Sequence, residues 1–170
     1  REIKADPFSF FSVWNVQALW VVVTSACAVT ALTSPEREPV DVYFFAGAII
    51  WATGFAIEVV ADAQKNAFRA RSENAGRFIT TGLWAWSQHP NYLGEIVLWT
   101  GIAVAALPVL QGWSWFALIS PAFVALLLLR ISGIPTLDLQ ARERWGDDPG
   151  YQDYVRRTSK LFLLPPGRRA

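Results

Sequence analysis

The chain has 170 residues, of which 53% are hydrophobic, with nine Trp and a net charge of +1. That apolar content is high for a water-soluble domain, and a balance so near neutral excludes a nucleic-acid binder that works by neutralising phosphates. A lone cysteine and a lone histidine, Cys27 and His89, exclude a disulfide framework and give no set of thiolate or imidazole ligands for a metal.

In chain order, "REIKAD" reads as a loop between elements, lacks an initiator Met and carries no secretory signal, so the chain is expected to be the C-terminal part of a longer membrane protein. No charged residue occurs from Pro7 to Pro35, well beyond the roughly 18 apolar residues that suggest a span. A first span is placed at about 8–32. Pro35 and Pro39 punctuate the connection to a second, at about 42–61.

The second span runs into "GFAIEVVADAQKNAFRARSE", in which Glu58, Asp62, Asn66 and Arg69 recur at helical spacing and share one face. Carboxylates at membrane depth need a partner or a water-filled cavity, which makes Glu58 and Asp62 candidates for a site. Solvation at the interface, with local pairing to Lys65 and Asn66, is the alternative.

Next comes "WSQHPNYLGE". Pro90 suits the first turn of a helix, with His89 or Ser87 at its cap, and the positive end of that helix favours phosphate or carboxylate. Asn91 and Glu95 lie one turn apart, with Trp99 a turn further in, and an amide beside a carboxylate can read a carboxamide or a ribose. A structural cap is the competing reading of His89.

This third span covers about 91–107. A turn at Pro108, Gln111 and Gly112 leads to a fourth at about 113–131. Residues 132–170 read as a cytoplasmic tail with two short helices, Asp138 to Trp145 and Tyr151 to Ser159, separated by "GDDPG". Tyr151, Tyr154 and Arg157 recur at three-residue spacing and are expected to close over an anionic ligand; a tail lying on anionic lipid is the alternative.

Arg1 and Lys4 precede the first span, Arg37 alone separates the first two, and Lys65, Arg69, Arg71 and Arg77 separate the second and third. Arg130 and the tail carry the rest. By the positive-inside rule the N-terminus, the 65–89 segment and the tail share the cytoplasmic side. The fold class is therefore all-α, a multi-pass transmembrane bundle with a cytoplasmic tail.

The stretches "NAGRFITTGLWAWSQHPNYLGEIVLWTG", "LLLLRISGIP" and "GYQDYVRRTSKLFLLPP" resemble the steroid 5-alpha-reductase-like membrane family, most nearly its bacterial branch, from the second span onward. The resemblance implies a membrane enzyme, in the bacterial inner membrane, that takes NADPH from the cytoplasmic side. It would reduce a carbon–carbon double bond conjugated to a carbonyl in a steroid-like or other lipid substrate.

Carried over by residue, Asp62, Arg69, Arg77, Asn91, Tyr92, Glu95 and Arg130 are implied to contact the cofactor, joined by His89 and Tyr154 from the residue-level reading, with Glu58 and Trp99 toward the substrate. The carbonyl-polarising Glu and Tyr of related reductases belong to spans upstream of this chain, so no catalytic acid is assigned. Asn66, Ile134, Asp138 and Gln88 depart from the family pattern, and steroid specificity is not implied.

"HPNYLG" also resembles the HP-x-Y-x-G motif of isoprenylcysteine carboxyl methyltransferases, which use S-adenosylmethionine. A noncatalytic membrane protein holding lipid or nucleotide in an inherited site is the third reading. Upstream sequence would separate it from an enzyme.

Overall fold

The computed structural model describes residues 6–35 and 39–167 and is all-helical among them. Arg1, Lys4 and Arg37, which entered the topology count, lie outside the described residues. Helices α1 (Pro7–Thr24) and α2 (Ala26–Thr33) form the first apolar run, α3 is Val42–Arg69 and α4 is Pro90–Ala106. They are followed by α5 (Ile119–Leu126), α6 (Ile134–Trp145) and α7 (Pro149–Arg157). Three helical stretches are long and apolar enough to cross a membrane, or up to four if α1 and α2 together make one span. Tyr, Trp, Phe, Val and Leu side chains stand exposed along α1 and the first half of α3, where a bilayer rather than protein would cover them.

The first span is not straight. α1 and α2 are bent by 58° at Ser25. The Ser120 hydroxyl of α5 donates to the Thr24 carbonyl, and the Cys27 thiol donates to the Ala117 carbonyl at 2.9 Å, so α5 and the turn before it dock against the bend. Cys27, Ala103, Ala106, Leu110 and Ala117 form a small core there. These side chains are small enough for the helices to pack closely, which is how helices associate where water offers no hydrophobic drive.

The helix that carries the second span continues past Ala61, the expected end of the span. α3 is unbroken to Arg69, and its 28 residues reach roughly 42 Å at 1.5 Å each, longer than a hydrocarbon core of about 30 Å. Asp41 caps its start, accepting from the Phe44 N–H at 3.0 Å. The polar stripe therefore climbs out of the apolar region on a continuous helix.

α3 and α4 form the principal helix pair, and glycines set its register. Gly47 faces Gly101 and Gly54 faces Gly94, each pair seven residues from the next on both antiparallel helices. A Cβ on Gly94 would lie 2.6 Å from the Glu58 N and 2.7 Å from the Gly54 carbonyl oxygen, both backbone atoms that have no room to yield. Backbone thus meets backbone.

The fourth span is a composite: a 3₁₀ stretch Gly112–Leu118, α5, and a π-helical turn Leu127–Ile131. Ser132 and Gly133 N–H groups both reach back to the Leu127 carbonyl, at 3.0 and 3.3 Å, and Gly133 sits against the Leu128 backbone. The chain turns there, and α6 starts at Ile134 with Pro135 in its first turn, four residues before the expected Asp138.

The tail is folded against the α3–α4 connection and is not a free strap on lipid. The Gln88 N–H donates to the Ser159 carbonyl at 2.8 Å, and its amide Nε2 donates to the Thr158 and Val155 carbonyls at 2.7 and 3.1 Å, meeting the unpaired end of α7. Ser87 Oγ donates to Leu161, Tyr154 Oη to Trp84, and Trp84 Nε1 to the Ala61 carbonyl of α3 at 2.9 Å. The chain of bonds runs from α3 through the connection to α7.

Candidate functional site

A cavity of about 150 Å³ opens where the end of α3, the 77–89 connection, α6 and α7 meet. Lys65 and Arg69 enter it because the stripe on α3 continues past the apolar region, Arg77 enters from the connection, and Arg144 enters from the last turn of α6. Four cations thus share the lining with one carboxylate, Asp138. The Asp138 carboxylate is itself ion-paired with Lys160.

Aromatic rings make the remaining wall. Phe78 packs edge-on against Trp145 and Tyr151, with centroids 5.8 and 5.2 Å away, and lies 5.7 Å from Tyr154. Trp145 Nε1 donates to the Gly76 carbonyl at 2.6 Å, which ties α6 to the connection, and Lys65 Nζ stands 4.9 Å over the Trp84 ring. Burial holds the Tyr151 and Tyr154 hydroxyls above their ordinary range, so both keep their protons at neutral pH.

His89 occupies the N-cap position of α4, yet its side chain makes no cap bond. The backbone N–H of His89 is met by Ser87 Oγ at 3.1 Å instead, and the imidazole turns into the cavity. The His89 and Tyr92 rings are stacked, 5.6 Å between centroids at 10°. Nε2 is buried without a hydrogen-bond partner, and Asp138 Oδ1 is 3.6 Å from it, too far for a bond.

Burial pushes the imidazole down to about 4; the Asp138 carboxylate opposes the shift, while the Lys160 and Lys65 ammonium groups add to it. An unfolded His89 titrates near 6.5, so between that pH and about 4 the unfolded chain binds the extra proton and the fold loses stability as pH falls. The loss is at most about 3 kcal/mol and is absent above pH 7. Melting of the detergent-solubilised protein should therefore drop between pH 6.5 and 4.5, and His89→Gln should flatten that drop; an equal drop in both proteins would count against a buried neutral imidazole.

Beside the cavity, the facing sides of α3 and α4 carry a second polar group. Asn91 Nδ2 donates to Asp62 Oδ1 at 3.1 Å. Glu58, Asp62 and Glu95 are electrostatic neighbours, all half-buried, with Tyr92 next to them. Glu95 comes into this group because Gly94 brings α4 against the Glu58 backbone.

The candidates from the sequence thus fall into three sets. Arg69, Arg77, His89 and Tyr154 line the cavity, while Glu58, Asp62, Asn91, Tyr92 and Glu95 make the adjoining α3–α4 cluster. Trp99 lies one turn beyond Glu95 and Arg130 stands exposed on the π-helical turn; neither lines the cavity. Arg157, expected to close over an anion with Tyr151 and Tyr154, instead pairs with Asp153 at 2.7 Å and does not line the cavity. Phe78, Trp84, Arg144 and Trp145 were not singled out. The helical spacing of Leu137, Ala141 and Arg144 on α6 carried a usable signal for Arg144; Phe78 had none.

Comparison with known proteins gives a consistent picture of distant kinship. The chain is 30% identical over 105 residues to a probable O-methyltransferase, ustE, of Ustilaginoidea virens, covering 62% of this chain and 36% of that protein. It is 31% identical over 75 residues to 3-oxo-5-alpha-steroid 4-dehydrogenase 1 of Bos taurus, covering 44% of this chain and 29% of the relative. It is 26% identical over 117 residues to the lamin-B receptor of Drosophila melanogaster, covering 60% and 15%. The chain therefore spans about a third or less of the length of these relatives, and no solved structure matches it. The profile that covers most of the chain, over residues 1–158, is that of the family described as "Protein of unknown function (DUF1295)", and the chain belongs to that family.

Proposed function

We propose that this chain forms the cofactor-binding part of a membrane-embedded, NADPH-dependent reductase acting on a carbon–carbon double bond conjugated to a carbonyl in a steroid-like or other lipid substrate. The observation that carries the reading is the charge of the cavity: Lys65, Arg69, Arg77 and Arg144 face it against the single, already paired carboxylate of Asp138. Such a set suits a ligand with several phosphates, since guanidinium groups pair phosphate oxygens bidentately. At about 150 Å³ the cavity matches the phosphate-bearing part of a dinucleotide rather than all of it. The similarity to a steroid dehydrogenase supports the same class.

NADPH supplies the hydride when bound; the residues of this chain hold and orient. Arg69 and Arg77 take the phosphates, and the rings of Phe78, Trp84 and Trp145 keep water out. Because Asn91 spends an amide proton on Asp62, its carbonyl oxygen remains free to accept from a carboxamide NH2, and Glu95 is an acceptor for the same group. Glu58 and Trp99 lie on the way to the apolar spans from which a lipid would approach. By the distribution of Lys and Arg, the cavity faces the cytoplasmic side of the membrane.

A second reading, an S-adenosylmethionine-dependent methyltransferase, draws support from the three carboxylates of the α3–α4 cluster, which suit a sulfonium cation, and from the similarity to the probable O-methyltransferase. Titration of the purified protein with NADPH, NADH and S-adenosylmethionine, followed by the fluorescence of Trp84 and Trp145 in the cavity wall, separates the two. Saturable NADPH binding, weakened about tenfold by Asn91→Ala and by Glu95→Ala, is the expected result. Binding of S-adenosylmethionine alone would move the protein to the methyltransferase class.

A further inference from the structure

We infer that the cavity recognises a sugar hydroxyl beside the phosphates, read by His89 and Asp138 acting as a pair; the inference rests on the phosphate reading of the same cavity. The His89 side chain is only 9% exposed and its Nε2 makes no hydrogen bond, an uncommon and costly condition for a buried ring nitrogen. Across from it, Asp138 Oδ1 is 3.6 Å away, while Oδ2 is held by Lys160. Both side chains line the cavity.

A neutral imidazole offers one N–H and one bare nitrogen, and a carboxylate only accepts. With the proton on Nε2, one hydroxyl seated against both groups accepts from Nε2 and donates to Oδ1, which gives each a shorter bond than their 3.6 Å contact. Phosphate has no proton to give Asp138 and is repelled by it. An ammonium has no lone pair for the Nε2 proton. In that tautomer the hydroxyl is the ligand group that fits both.

Its setting narrows the ligand class. Arg69, Arg77 and Arg144 place phosphate in the same small cavity. A hydroxyl next to phosphate is what the ribose of a nucleotide offers, so the cavity should separate ribonucleotides from their dideoxy counterparts. Lys160 is a positioning residue, since it fixes the carboxylate that does the reading.

The test is a comparison of three probes, pyrophosphate, ADP and 2',3'-dideoxy-ADP, titrated into the full chain in detergent with Trp fluorescence as readout. The chain as it stands should bind ADP about tenfold more tightly than the dideoxy compound. In His89→Phe, which keeps the ring stacked on Tyr92, and in Asp138→Ala, on the half-buried face of α6, that ratio should fall to near one. Pyrophosphate should bind His89→Phe as before and Asp138→Ala as before or more tightly. A ratio near one in the unaltered chain, or a ratio unmoved in folded Asp138→Ala, overturns the inference. Saturable pyrophosphate binding with no hydroxyl preference would leave the phosphate reading standing and sink the inference alone. The hydroxyl preference without pyrophosphate binding would do the reverse.

Discussion

Gly94→Leu is expected to separate α3 from α4 and to lower the melting temperature of the detergent-solubilised protein by roughly 10 °C or more, an effect of about 3 kcal/mol at this chain length. The cost begins at the first carbon: a Cβ at position 94 would sit 2.6 Å from the Glu58 backbone N, and neither helix can move one atom aside without moving its axis. The same displacement carries Asn91 away from Asp62, so NADPH binding should fall along with stability. Ala52→Leu, exposed on α3, is the control and should melt like the unaltered chain. Equal melting of the two variants would show that the glycine contacts do not hold the pair together.

The double variant Arg69→Gln, Arg77→Gln should lose at least about 100-fold in NADPH affinity, since each guanidinium is assigned a charge-assisted contact to phosphate. Melting should not change. Both side chains are exposed, and neither is in an ion pair among the described residues, so the fold does not depend on them. The affinity of the unaltered chain should also weaken as salt rises and that of the double variant much less, because screening acts on the charges removed. Undiminished NADPH binding by the double variant would take the phosphates out of this cavity.

Much of the fold was legible in the sequence for a simple reason: uncharged runs and the residues that end them report directly on where a helix can be apolar. The helix of the third span begins at Pro90 as the sequence implied, and two tail helices form, the second starting at Pro149 within "GDDPG" and ending at Arg157, two residues earlier at each end than expected. The helix that carries the second span runs on past the end expected for the span. Hydropathy falls at Asp62, but hydrogen bonding within the helix is indifferent to it, and the helix continues to Arg69. The bend at Ser25 was not foreseen, and the fourth-span residues that dock against it, Ala117 and Ser120, are more than ninety residues away in sequence.

The site divides in the same way. Helical spacing alone put Glu58, Asp62 and Arg69 on one face and Asn91 with Glu95 on another, since a period of about 3.6 is a property of the local backbone. Which faces meet is not local: the two glycine pairs fix the α3–α4 register, and only that register makes Asn91 the partner of Asp62. Arg130 and Arg157 had the right charge for an anion site, yet one stands on an exposed turn and the other is paired with Asp153.

The sequence by itself determined an all-helical chain with apolar spans, a basic connection and tail, and a stripe of polar groups on α3, because each follows from composition or spacing within a few turns. Tertiary structure alone decided that the tail folds back onto the connection, that Phe78, Arg144 and Trp145 complete a cavity, and that His89 faces it with Nε2 unpartnered. Those contacts join residues from four separate segments, and their geometry depends on packing and hydrogen bonds between segments that no local pattern records.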